Sequence, residues 1–353
     1  MIVTLSATKM ETPSGHLTLK DLAREAGVSV ATLDRVLHGR AGVRAETARR
    51  VRDAIERHGG NASGEVDSFR GRVCKLAFVM PTGDNVFMRM IVDQVALMSN
   101  WLAARRATVE TIRTDVFNPL ALAQTLDSLA GRYEGVAVVA LDHQSVRAAI
   151  DDLVANGTQV VTLVSDVPGS KRSHYVGIDN VAAGRTAGTL IGRLLGPRSG
   201  AVGVIAGSLA LRDHAERIFG FHQVLNLEHG HLSILNPVEG GDQNGLNESI
   251  MSRLLTGHPD LIGVYNVGAG VPGVAKAITD YGRESSLVFI AHDLNDFTRR
   301  ALLRGMIDAV ISQDPGHEAR SAIRVLLSLA RGERLLPEQE KIRIEIVMRD
   351  NLP

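Results

Sequence analysis

Residues 18–43 read TLKDLAREAGVSVATLDRVLHGRAGV, two short runs of helical periodicity separated by a glycine. Thr18 is placed to cap a first helix whose Leu19, Leu22, Ala23 and Ala26 share one face. Gly27 then allows the left-handed backbone of a tight reversal, which side chains with a Cβ resist. Ser29 is placed to cap a second helix. Its Leu33, Val36 and Leu37 fall on the buried side, leaving Val30, Ala31, Asp34 and Arg35 to project from its N-terminal half. A third amphipathic run, Ala45 to His58, supplies Ala48, Val51 and Ile55 to close the small core, and Gly59 ends it. Two helices around a glycine turn, the second carrying polar and basic side chains, have the shape of a major-groove reader.

These residues resemble the N-terminal DNA-binding module of the LacI family of bacterial transcription regulators, whose pattern runs roughly T-x-x-D-V-A-x-x-A-G-V-S-x-x-T-V-S-R-V-L-N. The chain follows it with Thr18, Asp21, Leu22, Ala23, Ala26, Gly27, Val28, Ser29, Thr32, Leu33, Asp34, Arg35, Val36 and Leu37. It departs at Asp34, where the family usually has serine, and at His38, where it usually has asparagine. The resemblance implies phosphate contacts at both places. A carboxylate facing DNA is repelled, so Asp34 either points away or selects a cytosine amino group. The residues expected at DNA are Thr18, Ser29, Val30, Ala31, Thr32, Asp34, Arg35 and His38.

The competing reading is a three-helix domain that binds protein, and charge argues against it. Over His16 to Gly60 nine basic side chains face six acidic ones, a net of +3. The whole chain has 39 of each, so the remainder carries −3. A basic head on a slightly acidic body suits a protein whose head alone meets DNA.

At 353 residues, 44% of them apolar and 22% charged, the chain exceeds one ordinary domain and has ample material for a core. No stretch reaches the length of a membrane span, and residues 1–15, read as a disordered tail, lack the basic-then-apolar pattern of a secretion signal. Cys74 is alone. It has no disulfide or metal-ligand companion, which fits a reducing cytoplasm and a filler role.

Residues 61–72 (NASGEVDSFRGR) lose apolar periodicity and read as a linker after a head at 16–60. In the resembled family this segment folds into a hinge helix on DNA with an apolar wedge in the minor groove. Phe69 stands near the wedge position. Ser63, Gly64 and Gly71 weaken a helix there, so a flexible tether with Phe69 folded onto the core stays an equal reading.

From residue 73 onward short apolar runs alternate with helical stretches, the pattern of a parallel α/β sheet. Ten strands are expected: 75–80, 108–113, 136–141, 159–164, 175–178, 201–206, 261–266, 287–291, 309–312 and 343–347. That number divides more naturally between two lobes than within one sheet. Gly196, Pro197, Ser199 and Gly200 suggest one crossing, with others near Ala291 and Pro315. Lobe 1 would then hold about 73–196 and 291–315, and lobe 2 about 197–290 and 316–353. The fold class expected is a small all-α helix-turn-helix head followed by an α/β, two-lobed, parallel-sheet body.

This body resembles the type I periplasmic sugar-binding fold that the same family uses for its effector. In such folds ligands lie beyond the carboxyl ends of the strands, between the lobes. The polar residues just past each strand are therefore the candidates: Asp84, Asn85, Asp142, His143, Ser165, Asp166, Arg212 or Arg217, Asn266, Asp293, Gln313 and Asp314. Carboxylates, amides and guanidinium groups make paired hydrogen bonds to adjacent hydroxyls of a sugar or polyol. Phe87 is a candidate apolar face for the ring. The resemblance singles out Arg217 in R-x-x-G-F, Asn266 at a strand end and Asp293, although the family's N-D-x-x-A-x-G becomes NVGAGVPG at 266–273.

That octapeptide also holds G-x-G-x-x-G at Gly268, Gly270 and Gly273, which superficially fits a dinucleotide site. Its position deep in the body, and Pro272, which removes an amide, oppose that reading. Catalytic motifs are lacking, and His214 and His317 read either as effector ligands or as helix-start residues. The expectation is a cytoplasmic, homodimeric, sugar- or polyol-responsive DNA-binding repressor, without enzymatic activity, cofactor, metal or membrane partner. The alternatives are a solute-binding component of a sugar transporter and an NAD-linked oxidoreductase.

Overall fold

The computed structural model describes residues 19–37, 43–57, 73–83 and 85–353. The chain divides into two compact units, up to Val73 and from Cys74 on.

The first unit contains α1 (Leu19–Glu25), α2 (Val30–Leu37) and α3 (Ala45–Arg57). Leu22, Ala23, Ala26, Leu33, Val51 and Ala54 form its core, with Val28 and Val36 packed against them. Of the three core residues expected from the third helix, Val51 is buried, Ala48 is half-buried, and the side chain of Ile55 lies outside the described set. Ala54, not foreseen, takes the next inward position. Ser29 caps α2: its Oγ accepts from the Thr32 amide at 3.1 Å and lies 2.9 Å from the Thr32 hydroxyl. Gly27 has φ +61° in the turn. Arg50 of α3 reaches back to that turn, donating to the carbonyls of Ala26 at 2.7 Å and Gly27 at 3.1 Å.

The second unit contains two sheets. Five parallel strands, β1 (Cys74–Pro81), β2 (Ala107–Thr114), β3 (Gly135–Val138), β4 (Gln159–Leu163) and β5 (His174–Val176), lie in the order β2-β1-β3-β4-β5. The other sheet runs β12-β11-β10-β9-β6-β7, from β6 (Gly200–Ala206), β7 (Leu232–Ile234), β9 (Leu261–Asn266), β10 (Val288–His292), β11 (Ala309–Ser312) and β12 (Glu345–Val347). The two-residue β8 (Val238–Glu239) pairs with the end of β6, and β12 alone runs antiparallel to its neighbour. Helices between strands are α4 (Val86–Leu97), α5 (Ser99–Ala104), α6 (Pro119–Asp127), α7 (Gln144–Ala155), α8 (Asn180–Leu195), α9 (Arg212–Glu228), α10 (Asn244–Gly257), α11 (Val271–Asp280), α12 (Asp296–Leu303) and α13 (Pro315–Ala330). Central strands such as β3 and β11 are buried along their whole length, as parallel strands covered by helices on both faces must be.

All ten expected strands are present. The two that periodicity missed, β7 and β8, are three and two residues long.

The lobe allocation needs correction. Helix α8 packs on α9 and on β9, β10 and β11, so the first crossing falls between β5 and α8 rather than at 196–200. Gly196 (φ +61°) ends α8, and the turn after it leads into β6 of the same lobe; those residues punctuate an element end. Nor does the chain cross near Ala291, because β10 and β11 are adjacent in one sheet. It crosses after β11: α13 packs on β1, β3, β4 and α4, and β12 then returns to pair with β11. Residues 200–312 therefore stay in one lobe. The helix at 315–330, assigned above to lobe 2, covers the five-stranded sheet.

Candidate functional site

A cavity of about 610 Å³ opens between the lobes at the carboxyl ends of β1, β9 and β10. Phe87, Val116, Phe117, Leu211, Val271 and Phe297 make much of its wall apolar. At its inner end a smaller polar recess is lined by Asn85, Ser165, Asp213, His214, Arg217, Asp242, Asp293 and Gln313.

Arg217 organises this recess. It lies on α9, 2% exposed, and its Nε donates to Asn180 Oδ1 at 2.8 Å while Nη1 donates to the Val267 carbonyl at 2.9 Å. Its Nη2 has no hydrogen-bond partner and stands 3.9 Å from Asp213 Oδ2. Burial disfavours the charged guanidinium, but the carboxylates of Asp213 and Asp293 outweigh it and raise its pKa. Gly184 and Gly220 let this helix pair close up: a Cβ on Gly184 would overlap the Arg217 carbonyl, and one on Gly220 the Val181 carbonyl. That close approach seats the guanidinium at the strand ends.

Asp242 and Asp293 face it. Asp242 Oδ1 accepts from the Ala269 amide at 2.9 Å, and its Oδ2 accepts from Asn85 Nδ2 of the other lobe at 2.9 Å. Asn85 also caps α4, its Oδ1 accepting from the Met88 amide at 3.2 Å. Asp293, held at φ +66°, accepts from Gln313 Nε2 at 3.2 Å. Enclosure raises its carboxyl to about 6, against the pull of Arg217. His292 beside it is buried, which keeps its imidazole neutral, with Nε2 2.7 Å from the Tyr265 hydroxyl.

Among the described residues, four polar atoms of the recess lack partners: Ser165 Oγ, Asp213 Oδ1, Arg217 Nη2 and Gln313 Oε1. Buried polar groups in folded proteins are nearly always hydrogen-bonded, and each orphan costs about 1 to 3 kcal/mol. Two acceptors, one donor and one hydroxyl converging on one recess are a template for a polyhydroxylated molecule.

Of the residues expected from sequence, Asn85, Phe87, Arg217, Asp293 and Gln313 line the cavity or its recess, as does Ser165. Others are engaged elsewhere. Asp142 pairs with Arg147 at 2.9 Å and, between lobes, with Arg212 at 3.5 Å; Arg212 also donates to Glu216 at 2.7 Å. His143 caps α7, and Asp314 caps α13. Asp166 is clamped by both Arg172 nitrogens and by the Thr162 hydroxyl. Asn266 spends its Nδ2 on the carbonyls of Gly268 at 2.7 Å and Ala269 at 3.0 Å, shaping the turn rather than facing the cavity. His317 Nε2 meets the Gln339 carbonyl, away from the cleft. Asp142, His143, Asp166, Arg212 and Asn266, expected at the effector, therefore line neither the cavity nor its recess and are engaged by protein groups instead.

Reading strand ends overlooked Asp242 and Asp213. Asp242 follows β8, whose two residues are invisible to periodicity. Asp213 was visible as the residue four before Arg217, on the same helix face.

The glycines of NVGAGVPG serve packing. A Cβ at Gly268 would meet Asp242 and His214, one at Gly270 would meet Asn247, and one at Gly273 the Asn244 backbone. Gly270 also needs φ +78°. The spacing that mimics a dinucleotide fingerprint is thus explained by α10 lying against α11.

In the first unit Val30, Ala31 and Arg35 are exposed on α2, and Ser29 and Thr32 sit at its start. Thr18, His38, Phe69 and Asp84 lie outside the described residues, as does the Asp34 side chain.

A two-lobed α/β body with a polar cleft at its strand ends defines the class, and the family follows from the sequence. The chain belongs to the periplasmic binding protein domain family, whose model matches residues 76–334. Residues 18–59 match the family described as bacterial regulatory proteins, lacI family, so the chain has the architecture of a LacI-family regulator. Similar solved structures include GanP, a glucose-galactose binding protein from Geobacillus stearothermophilus (TM-score 0.72, 23% identity, covering 80% of this chain and 99% of that one). A solute binding protein of an ABC transporter from Burkholderia graminis, in complex with D-arabinose, has TM-score 0.73 and 23% identity over 79% and 96% of the two chains. One from Agrobacterium vitis, bound with alpha-D-tagatopyranose, has TM-score 0.70 and 18% identity over 79% and 95%. No curated protein matches the sequence. Among the described residues no helix is long and apolar enough to cross a membrane.

Proposed function

We propose that this chain is a cytoplasmic, homodimeric, sequence-specific transcription regulator, acting as a repressor, whose operator affinity is set by a sugar or polyol bound between the lobes. The observation that carries the effector half is the convergence of orphaned polar atoms from Ser165, Asp213, Arg217 and Gln313 on one recess. Asn85, Asp242 and Asp293 complete a ring of hydrogen-bonding groups, and the Phe87 side chain offers a ring face. The DNA half rests on the lacI-family head and on the exposed face of α2, which carries Val30 and Ala31 at its start and Arg35 in its last turn.

One head makes few phosphate contacts, so two heads joined through their bodies read a palindromic site with useful affinity. A ligand that ties the lobes together changes the geometry delivered to the heads. A coupling of about 1 to 3 kcal/mol corresponds to a shift in operator affinity of roughly 5- to 150-fold. The matched families bind sugars and DNA, which supports a non-enzymatic role. A transporter's solute-binding component is the second reading, favoured by the neighbouring folds and opposed by the head.

The deciding experiment is a salt titration of duplex binding by the full chain, with operator candidates selected from random sequence, repeated across a panel of sugars and polyols. Steeply salt-dependent, sequence-selective binding that one sugar shifts is the expected result. Saturable sugar binding with no duplex binding would favour the transporter reading.

A further inference from the structure

The second unit carries another concavity, of about 250 Å³, which shares no lining residue with the cleft. Its wall comes from the end of α5, the C-terminal half of α13 and the segment after it, and it contains four arginines: Arg105, Arg324, Arg331 and Arg334. Arg324 is committed, donating to Glu340 at 3.0 and 2.6 Å and to the Ser321 hydroxyl at 3.1 Å. The other three are not neutralised. Among the described residues none of them has a carboxylate within 4.0 Å.

The guanidinium carbon of Arg105 lies over the Trp101 ring, 3.7 Å from its centroid, and Arg331 donates to the Arg105 carbonyl. With Glu340 held by Arg324, Glu333 is the one other acid among the described wall residues, beside three arginines that have no carboxylate partner among them. A guanidinium over an indole is weakly hydrated and held in place by the ring, with a planar fork of donors to offer a ligand. Several such forks around a small concavity match the oxygens of a phosphate better than a single carboxylate.

The cleft has the opposite character, since its recess sets Asp213, Asp242 and Asp293 against the one cation Arg217. We infer that the arginine pocket beside Trp101 binds the phosphate group of a small phosphorylated metabolite, giving the protein a second input that the cleft cannot take. The two sites sort ligands by charge. At about 250 Å³ the concavity is sized for a small molecule.

The test is calorimetric titration of the full chain with inorganic phosphate, ribose 5-phosphate and a phosphoserine peptide, against ribose at matched ionic strength. Saturable binding of the first two is expected. Arg334→Gln, at a side chain that makes no hydrogen bond or ion pair among the described residues, and Arg105→Gln should each weaken it about tenfold or more. Asp242→Ala, in the cleft, should leave it unchanged. Absence of saturable phosphate binding, full binding by both arginine variants, or loss in the Asp242 variant would overturn the site. Tighter binding of the peptide than of ribose 5-phosphate would overturn the small-molecule assignment.

Discussion

Asn85 and Asp242, 157 residues apart and on different lobes, are joined across the cleft by a 2.9 Å hydrogen bond from Nδ2 to Oδ2. Each is also tied into its own lobe, Asn85 as the cap of α4 and Asp242 through the Ala269 amide. The pair links lobe closure to the wall of the effector recess.

Asp242→Ala should therefore lower sugar affinity by tenfold or more, losing both a ligand-facing carboxylate and the bridge. Calorimetry on the full chain reads this directly. An unaltered sugar affinity would remove Asp242 from the site.

Arg217→Met should remove the sugar response and also cost stability. It leaves Asp213 without its nearby cation and Asn180 Oδ1 without its donor, a loss of about 3 to 5 kcal/mol for a buried charge stripped of its partner. Urea unfolding followed by far-UV dichroism gives the figure. Arg217→Lys keeps the charge and should recover part of the stability but not the sugar affinity.

The Asp293 carboxyl, raised to about 6, binds its proton more tightly in the folded chain than in the unfolded one. Its contribution to stability is thus greatest below the ordinary aspartate range near 4 and declines as pH rises through 6. The difference in urea midpoint between wild type and Asp293→Asn, followed from pH 4.5 to 7.5, should favour the variant increasingly toward neutrality. A sugar hydroxyl donating to the ionised carboxylate lowers that pKa, so binding near pH 6 should release protons. Calorimetry in buffers of different ionisation enthalpy detects them.

In the head, Arg35→Ala should cost about 1 to 3 kcal/mol of specific duplex binding while leaving the salt slope nearly as it was, since base readout is lost rather than several phosphate contacts. Arg50→Met acts differently. It removes two hydrogen bonds that hold the turn carbonyls of Ala26 and Gly27, and should destabilise the head by about 1 to 2 kcal/mol. Gel-shift titrations at several temperatures separate the two, because only the second loss grows on warming toward the melting of the head.

The three helices around Gly27 and ten of the twelve strands were legible in the sequence because each rests on a local rule: a period, a cap or a glycine at a turn. Asn85, Asp293 and Gln313 were also legible, by the rule that ligands gather at the carboxyl ends of parallel strands, whereas the choice of Arg217 over Arg212 came from the family resemblance and Phe87 from its apolar ring. The same rule also nominated Asp142, Asp166 and Asn266, because a polar side chain at a strand end looks alike in sequence whether it faces a ligand or a neighbouring arginine, hydroxyl or carbonyl.

The residue pattern by itself determined the helix-turn-helix head and the two-lobed α/β body, since apolar periodicity is a property of neighbours along the chain. Only the tertiary structure decided which helices cover which sheet, which polar atoms remain unpartnered in the recess, and that Asp242 belongs there through a two-residue strand. Those are outcomes of long-range packing: whether a buried carboxylate meets a ligand or a protein donor depends on side chains a hundred or more residues away, as Asp242 and Asn85 do.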